Sequence, residues 1–420
     1  MVRRLRASLS LAACLVAANA GAAEPPAVLD DLSRWLAPGS DLAANLSSQP
    51  REILRIERAG GQPPFLVRFG RLLFRSPLIL GERAALLGLS CDTCHSGGHV
   101  NNRLFVAGLS DRPGNIDGAH RFFSAIADDG RLKPINIPSL RGIRWRAPYG
   151  HDGRFWSLAE FTRSVIETEF AGPPPSPVML DALVAYQNEL DHADRPALSD
   201  AARRGADLFQ RDCAGCHIPS AGYLDRLSHD VGTGEHMDTP TLLALSDSAP
   251  YFHDGSKPDL AAVIDHFDRL FGLGYDAAER RDMLAFLNNV GGQIDPRSDI
   301  TLASDLDRVA DFADLIAVPL NAEDRRLAEQ IVDLTRFEMG RVYNRFSPPL
   351  AAERMILITW SRDLAAVGTL AASEKFAKAT ADLARWRKKF AVERHQLQAA
   401  ESATLYDRSA LKQAIETVSQ

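Results

Sequence analysis

Two short runs in this 420-residue chain have the residue types and spacing to do chemistry: Cys91-Asp92-Thr93-Cys94-His95 and Cys213-Ala214-Gly215-Cys216-His217. Each is C-x-x-C-H, the spacing that attaches a c-type haem. Two thiols form thioethers with the porphyrin, and the adjacent histidine comes under the ring as an iron ligand. The chain has five Cys and eleven His, so chance placement would almost never give this pattern twice. A disulfide or a zinc site is the competing reading. A disulfide needs no histidine beside its second cysteine, and zinc wants a second ligand pair at matching spacing. The spacing therefore predicts two covalently bound haem c groups. Cys91, Cys94, Cys213 and Cys216 attach them, and His95 and His217 ligate the metal.

The surrounding chain repeats. The first motif is followed by Ile137-Pro138-Ser139-Leu140-Arg141-Gly142 and then Ala147-Pro148-Tyr149-Gly150-His151-Asp152-Gly153. The second is followed by Thr239-Pro240-Thr241-Leu242-Leu243 and then Ala249-Pro250-Tyr251-Phe252-His253-Asp254-Gly255. Pro138 to His151 and Pro240 to His253 are both 13 residues. Apolar periodicity predicts a helix over 65–74 that Pro77 ends, then helices over 158–170 and 179–190 in the first copy and over 260–271 and 277–289 in the second. From about residue 300 the pattern turns to Ala, Leu, Arg, Glu and Lys at helical spacing, over 302–317, 322–345, 350–370, 373–400 and 407–418. The expected fold is mainly α. Residues 24–192 and 196–296 form two tandem cytochrome c-like haem domains, and a helical region at 300–420 packs on them. That tail carries no cluster of ligating residues, so haem attachment should not need it.

Residues 1–23 read as a signal peptide. Arg3, Arg4 and Arg6 precede an apolar run with small residues at 18–20 and 21–23. Removing them takes the formal charge from −6 to −9, which argues against a nucleic-acid partner and suits a basic redox partner. Export to the periplasm fits haem attachment through reduced thiols. No later segment reads as apolar enough to cross a membrane, so membrane attachment would require lipidation of Cys14.

The two haem motifs, the stretch Gly70…Leu73-Phe74…Pro77…Ser90-Cys91 and the repeated A-P-Y-x-H-D-G resemble the bacterial di-haem cytochrome c peroxidase and MauG superfamily over about residues 65–292. The resemblance implies an oxidoreductase. Its first haem would react with hydrogen peroxide, and its second would pass electrons from a small redox-protein donor or toward a protein substrate. It also implies a calcium ion between the domains, held partly by backbone carbonyls at the positions of Ser248 and Pro250. Several positions depart from the family pattern. His151 stands where a tryptophan between the haems is common, with Trp145 and Trp156 nearby as alternative relay aromatics. Phe267 stands where a Met or Tyr would ligate the second iron, which makes the neighbouring His266 the candidate metal ligand.

His151 and Glu169 are the candidate catalytic residues of the first site. The family's acid-base glutamate lies about twenty residues after the position of His151, and Glu169 lies eighteen after it, with Glu167 its rival. A carboxylate there could shift a proton between the oxygens of peroxide. The competing function is a non-catalytic di-haem electron-transfer cytochrome, in which neither iron meets substrate.

Overall fold

The structure is a computed structural model that describes residues 32–418, apart from 244, 247, 293–296 and 348. Residues 1–23, read above as a signal peptide, and Cys14 lie outside the described residues. Helix α1 (Phe65–Arg75) buries Phe69, Gly70, Leu72 and Leu73 and stops at Ser76, before Pro77. Helix α2 is a single turn over the first motif (Cys91–Cys94). Its start is fixed by Ser90: the Ser90 hydroxyl accepts from Thr93 N–H, and the Thr93 hydroxyl accepts from Ser90 N–H. Two of the donors at the start of this short helix are thereby satisfied.

Helices α3 (Leu158–Ser164) and α4 (Pro177–Glu189) complete the first copy, and α3 runs on into a π-helical turn over Val165–Glu169. The second copy has α5 (Asp200–Asp212), α6 (Leu260–Phe271) and α7 (Ala277–Val290). Ser199, Asp259 and Asp276 cap their N-termini through side-chain oxygens. The tail is helical throughout: α8 (Leu302–Leu315), α9 (Arg325–Tyr343), α10 (Ala351–Ala372), α11 (Phe376–Ala399) and α12 (Arg408–Val418). Among the described residues the strands form three short antiparallel pairs. These are β1 (Ser48–Pro50) with β6 (Arg297–Asp299), β2 (Asn115–Ile116) with β3 (Ile135–Asn136), and β4 (Ser228–His229) with β5 (Met237–Asp238). The architecture is mainly α, as expected.

One helix contact is made twice. Helix α1 crosses α4 at Gly70, where a methyl would lie 1.9 Å from the Ala182 carbonyl oxygen and 2.7 Å from Tyr186 Cβ. Helix α5 crosses α7 at Gly205, where a methyl would lie 2.0 Å from Asp282 O and 2.8 Å from Phe286 Cβ. Only glycine permits backbones to approach this closely.

The apolar interior falls into two main parts. One runs from Leu54 to Leu190 and continues without a break into Leu302–Tyr406, with Phe69, Tyr186, Phe312 and Trp360 all fully buried. The other is confined to residues 209–290, around Phe209, Tyr223, Met283 and Phe286. The tail therefore shares a core with the first copy and not with the second. Helix α10 corrects one expectation: it is long and apolar enough to cross a membrane. Yet Trp360, Leu364 and Val367 are fully buried between α9 and α11, which is how the core helix of a bundle looks.

Candidate functional site

At the first motif His95 Nδ1 lies 2.9 Å from the Pro138 carbonyl oxygen. That bond fixes the ring as a neutral tautomer whose Nε2 is left to bind a metal. Burial pulls the imidazole down to about 4, so it stays unprotonated at neutral pH. Burial also pushes the Cys91 and Cys94 thiols up to about 12. At the second motif His217 Nδ1 lies 3.2 Å from the Tyr223 carbonyl oxygen, and the Pro240 carbonyl also accepts from the ring. Pro138 and Pro240 occupy the same place in the two copies, but the Nδ1 bond runs to Pro138 in the first and to Tyr223 in the second.

All four described cysteines are free thiols, so no disulfide joins either pair. Among the described residues the only grouping of three metal-ligating side-chain types around one point is Cys216, Asp225 and His229, which leaves out the first motif. Neither competing reading of that motif gains support.

The residues beside the first motif fit haem. His99 Nδ1 meets Ser139 Oγ at 2.8 Å, and Arg146 Nη1 donates to the Ser139 carbonyl. Arg141 lies alongside and donates to the Arg51 carbonyl. Arg146 Nη2 is buried without a hydrogen-bond partner among the described residues. Burial pulls this guanidinium down to about 10. His99 and His192 are both held at about 3, by burial first and then by Arg141 and Arg146. A buried guanidinium nitrogen with no partner is costly until an anion meets it, and among the described residues no carboxylate pairs with Arg146. The two propionates of a haem are such anions.

Calcium fits poorly. The Pro250 carbonyl already accepts from Asn136 Nδ2 at 2.8 Å. The depression along Ala249, Pro250, Gly255 and Ser256 is lined by the Arg112 guanidinium and by no carboxylate among the described residues. Arg112 Nη1 donates to Gly255 O at 2.8 Å, so a cation already stands there.

His151 is half-buried, with Nε2 at 3.1 Å from the Asn136 carbonyl oxygen. Burial, and then the nearby His253, lower it to about 4. Glu169 ends the π-helical turn and pairs with Arg154 at 2.8 Å, and Arg154 also holds Asp152 at 2.8 Å. Burial raises the Glu169 carboxyl, and Arg154 opposes the rise. Glu167 points elsewhere, 3.9 Å from Arg163. The structure thus separates the two glutamates and ties Glu169 to the His151-Asp152-Gly153 turn. His266 Nε2 is engaged by the Val231 carbonyl at 2.7 Å, and its ring packs edge-on against Phe252 at 4.9 Å. Phe267 packs against Phe252 and stacks on Phe271. Trp145 and Trp156 are 67% and 66% exposed, so neither is a buried aromatic between the two motifs.

The arginine cluster was not anticipated. The signal was present in the repeat: where one copy has Arg141, Arg144 and Arg146, the other has Leu243, Ser246 and Ser248. A charge difference at matched positions points to a ligand that only one copy holds in that way.

No family model matches the chain. It is 25% identical over 304 residues to the methylamine utilization protein MauG of Methylorubrum extorquens, a match covering 56% of this chain and 80% of that protein. It is 29% identical over 132 residues to MauG of Methylophilus methylotrophus, covering 24% and 39%. These relatives support assignment to the MauG and di-haem cytochrome c peroxidase superfamily. It also matches hydrazine synthase subunit gamma of Kuenenia stuttgartiensis, 24% identical over 206 residues and 34% of this chain. That match spans 58% of the subunit's own length. Among solved structures, Kuenenia hydrazine synthase aligns with a TM-score of 0.43 at 23% identity, over 54% of this chain and 89% of that one. A MauG-like protein associated with microbial copper homeostasis aligns at 0.40 and 18%, over 57% and 92%.

Proposed function

We propose that the protein is an exported, periplasmic di-haem c-type cytochrome that works as a peroxidase or MauG-like oxidase. On this reading residues 24–192 and 196–296 are the two haem domains. Hydrogen peroxide is taken at the first site, and the second passes electrons to or from a small redox protein or a protein substrate. The observation that carries the reading is the support of His95 and His217 through Nδ1, combined with the Arg146 guanidinium beside the first motif, whose Nη2 has no partner among the described residues.

Bound haem would supply the redox chemistry. Cys91 and Cys94 would hold it at the first site and Cys213 and Cys216 at the second. His95 and His217 would present Nε2, and Arg146 with its neighbours would meet the propionates. Glu169, its carboxyl raised by burial yet held by Arg154, would take and return a proton. His151, neutral and bonded to Asn136 O, orients the turn that carries Asp152 and Arg154.

The test is the mass and spectrum of the mature protein. Its denatured mass should exceed the polypeptide by two haems, and expression without residues 1–23 should give colourless protein. Its resting spectrum should contain a high-spin component that changes on adding peroxide. Two low-spin haems inert to peroxide would leave the pure electron carrier as the better reading, and a mass matching zero or one haem would reject both.

A further inference from the structure

The two copies meet through a reciprocal pair of main-chain hydrogen bonds. Asn136 N–H donates to the His253 carbonyl at 2.8 Å, and Asp238 N–H donates to the His151 carbonyl at 2.8 Å. Asn136 and Asp238 hold the same place in each copy, two residues before Pro138 and Pro240, and they end strands β3 and β5. The side chains break this symmetry. Asn136 Nδ2 donates across the interface to the Pro250 carbonyl at 2.8 Å. Asp238 lies beside Gly153, next to the Pro148 ring: a methyl on Gly153 would be 3.1 Å from that ring and 3.4 Å from Asp238 Oδ1. That Oδ1 is buried and has no hydrogen-bond partner among the described residues. A carboxylate only accepts, and so does the Pro148 carbonyl, whereas a carboxylic acid has a proton to give.

We propose that Asp238 is a proton-binding site in the interface between the two haem-motif copies, its neutral form donating to the Pro148 carbonyl as Asn136 donates to Pro250. Ionisation releases that proton to solvent and leaves two acceptors facing each other, which loosens one half of the reciprocal contact. The groups around Asp238 favour the neutral form. Burial first, then Asp225 and Asp152, push its carboxyl up to about 7, while His229 opposes them. His229 is bonded to Asp225 at 2.6 Å, and Asp152 is paired with Arg154. Glu235, three residues before Asp238, faces His253 at 3.5 Å. His151, whose carbonyl takes the Asp238 N–H, is neutral at this pH.

The test uses the purified full chain with its haems attached, unfolded by denaturant between pH 4.5 and 8.5. An unfolded aspartic acid ionises near 3.9, whereas Asp238 keeps its proton to about 7 in the fold. Its contribution to stability is therefore full below the unfolded value and is lost as pH rises through the folded one. Asp238→Asn carries a permanent donor. Relative to wild type its unfolding constant should improve about tenfold per pH unit between roughly pH 5 and 6.5, and level off above about pH 8. His99 and His151 titrate with the opposite sign, because burial holds each below its ordinary value. They do so in both proteins, so the difference curve isolates Asp238. Parallel curves would overturn the proposal. Asn136→Asp supplies an independent check: it should add a second loss of stability with rising pH, and a folded N136D with the wild-type pH response would also overturn it.

Discussion

At the scale of single residues, the first site turns on how Arg154 and burial compete for Glu169. Burial favours the protonated carboxyl, and the guanidinium at 2.8 Å favours the carboxylate. If Glu169 accepts a proton from peroxide, the rate must fall as pH drops through its raised pKa, because the base is then already protonated. Arg154→Leu removes the opposing charge, so the acid limb of the pH–rate profile should move to higher pH while both haem spectra stay unchanged. Glu169→Gln should slow the reaction with peroxide by about a hundredfold or more at neutral pH. Glu167→Gln should leave it near wild type, since Glu167 faces Arg163. Stopped-flow mixing with peroxide reads both effects. A fast E169Q beside a slow E167Q would transfer the role to Glu167.

At the scale of elements, the two C-x-x-C-H motifs were legible because everything that defines them is local. Two thiols and a histidine within five residues need no tertiary information, and the matched 13-residue spacing already implied one fold used twice. The helices of the tail were legible too, from their apolar period. What sequence could not show is contact between residues far apart in the chain. The Asn136–His253 and Asp238–His151 bonds each join different copies, and the Glu169–Arg154 pair depends on a π-helical turn that no periodicity announces. The glycines at the helix crossings lie between these cases. Gly70 and Gly205 were visible, but the reason for them was not: each admits a carbonyl of the partner helix into the space of a side chain. Gly70→Ala should force α1 off α4 and cost about 1–3 kcal/mol or more, and Gly205→Ala should do the same to α5 on α7. Because the two cores are separate, each variant should broaden or lose the haem signal of its own copy first. Loss of both signals at one temperature in either variant would show that the copies unfold as one unit.

At the scale of the whole molecule, the tail is tied to the first copy by charge as well as by apolar packing. Arg75 at the end of α1 bonds Asp92 inside the haem motif at 2.9 Å and Glu338 of α9 at 2.7 Å. Glu338 is buried, and burial alone would raise its carboxyl, yet Arg75, Arg341 and Arg308 hold it down at about 2. Removing one partner of such a buried pair typically costs about 3–5 kcal/mol, because the other charge is left without compensation. The expectation that the tail is dispensable for haem attachment therefore has to be divided between the copies. Truncation after residue 296 removes Glu338 and uncovers the faces of α1 that α8 and α9 cover, while the core over 209–290 loses nothing. The truncated protein should keep the haem on Cys213 and Cys216 and fail to hold the one on Cys91 and Cys94, giving a denatured mass one haem above the polypeptide. Glu338→Gln in the full chain should lower the temperature at which the first haem's spectrum is lost and leave the second unchanged. A truncated protein carrying both haems would show that the first copy closes its core without the tail.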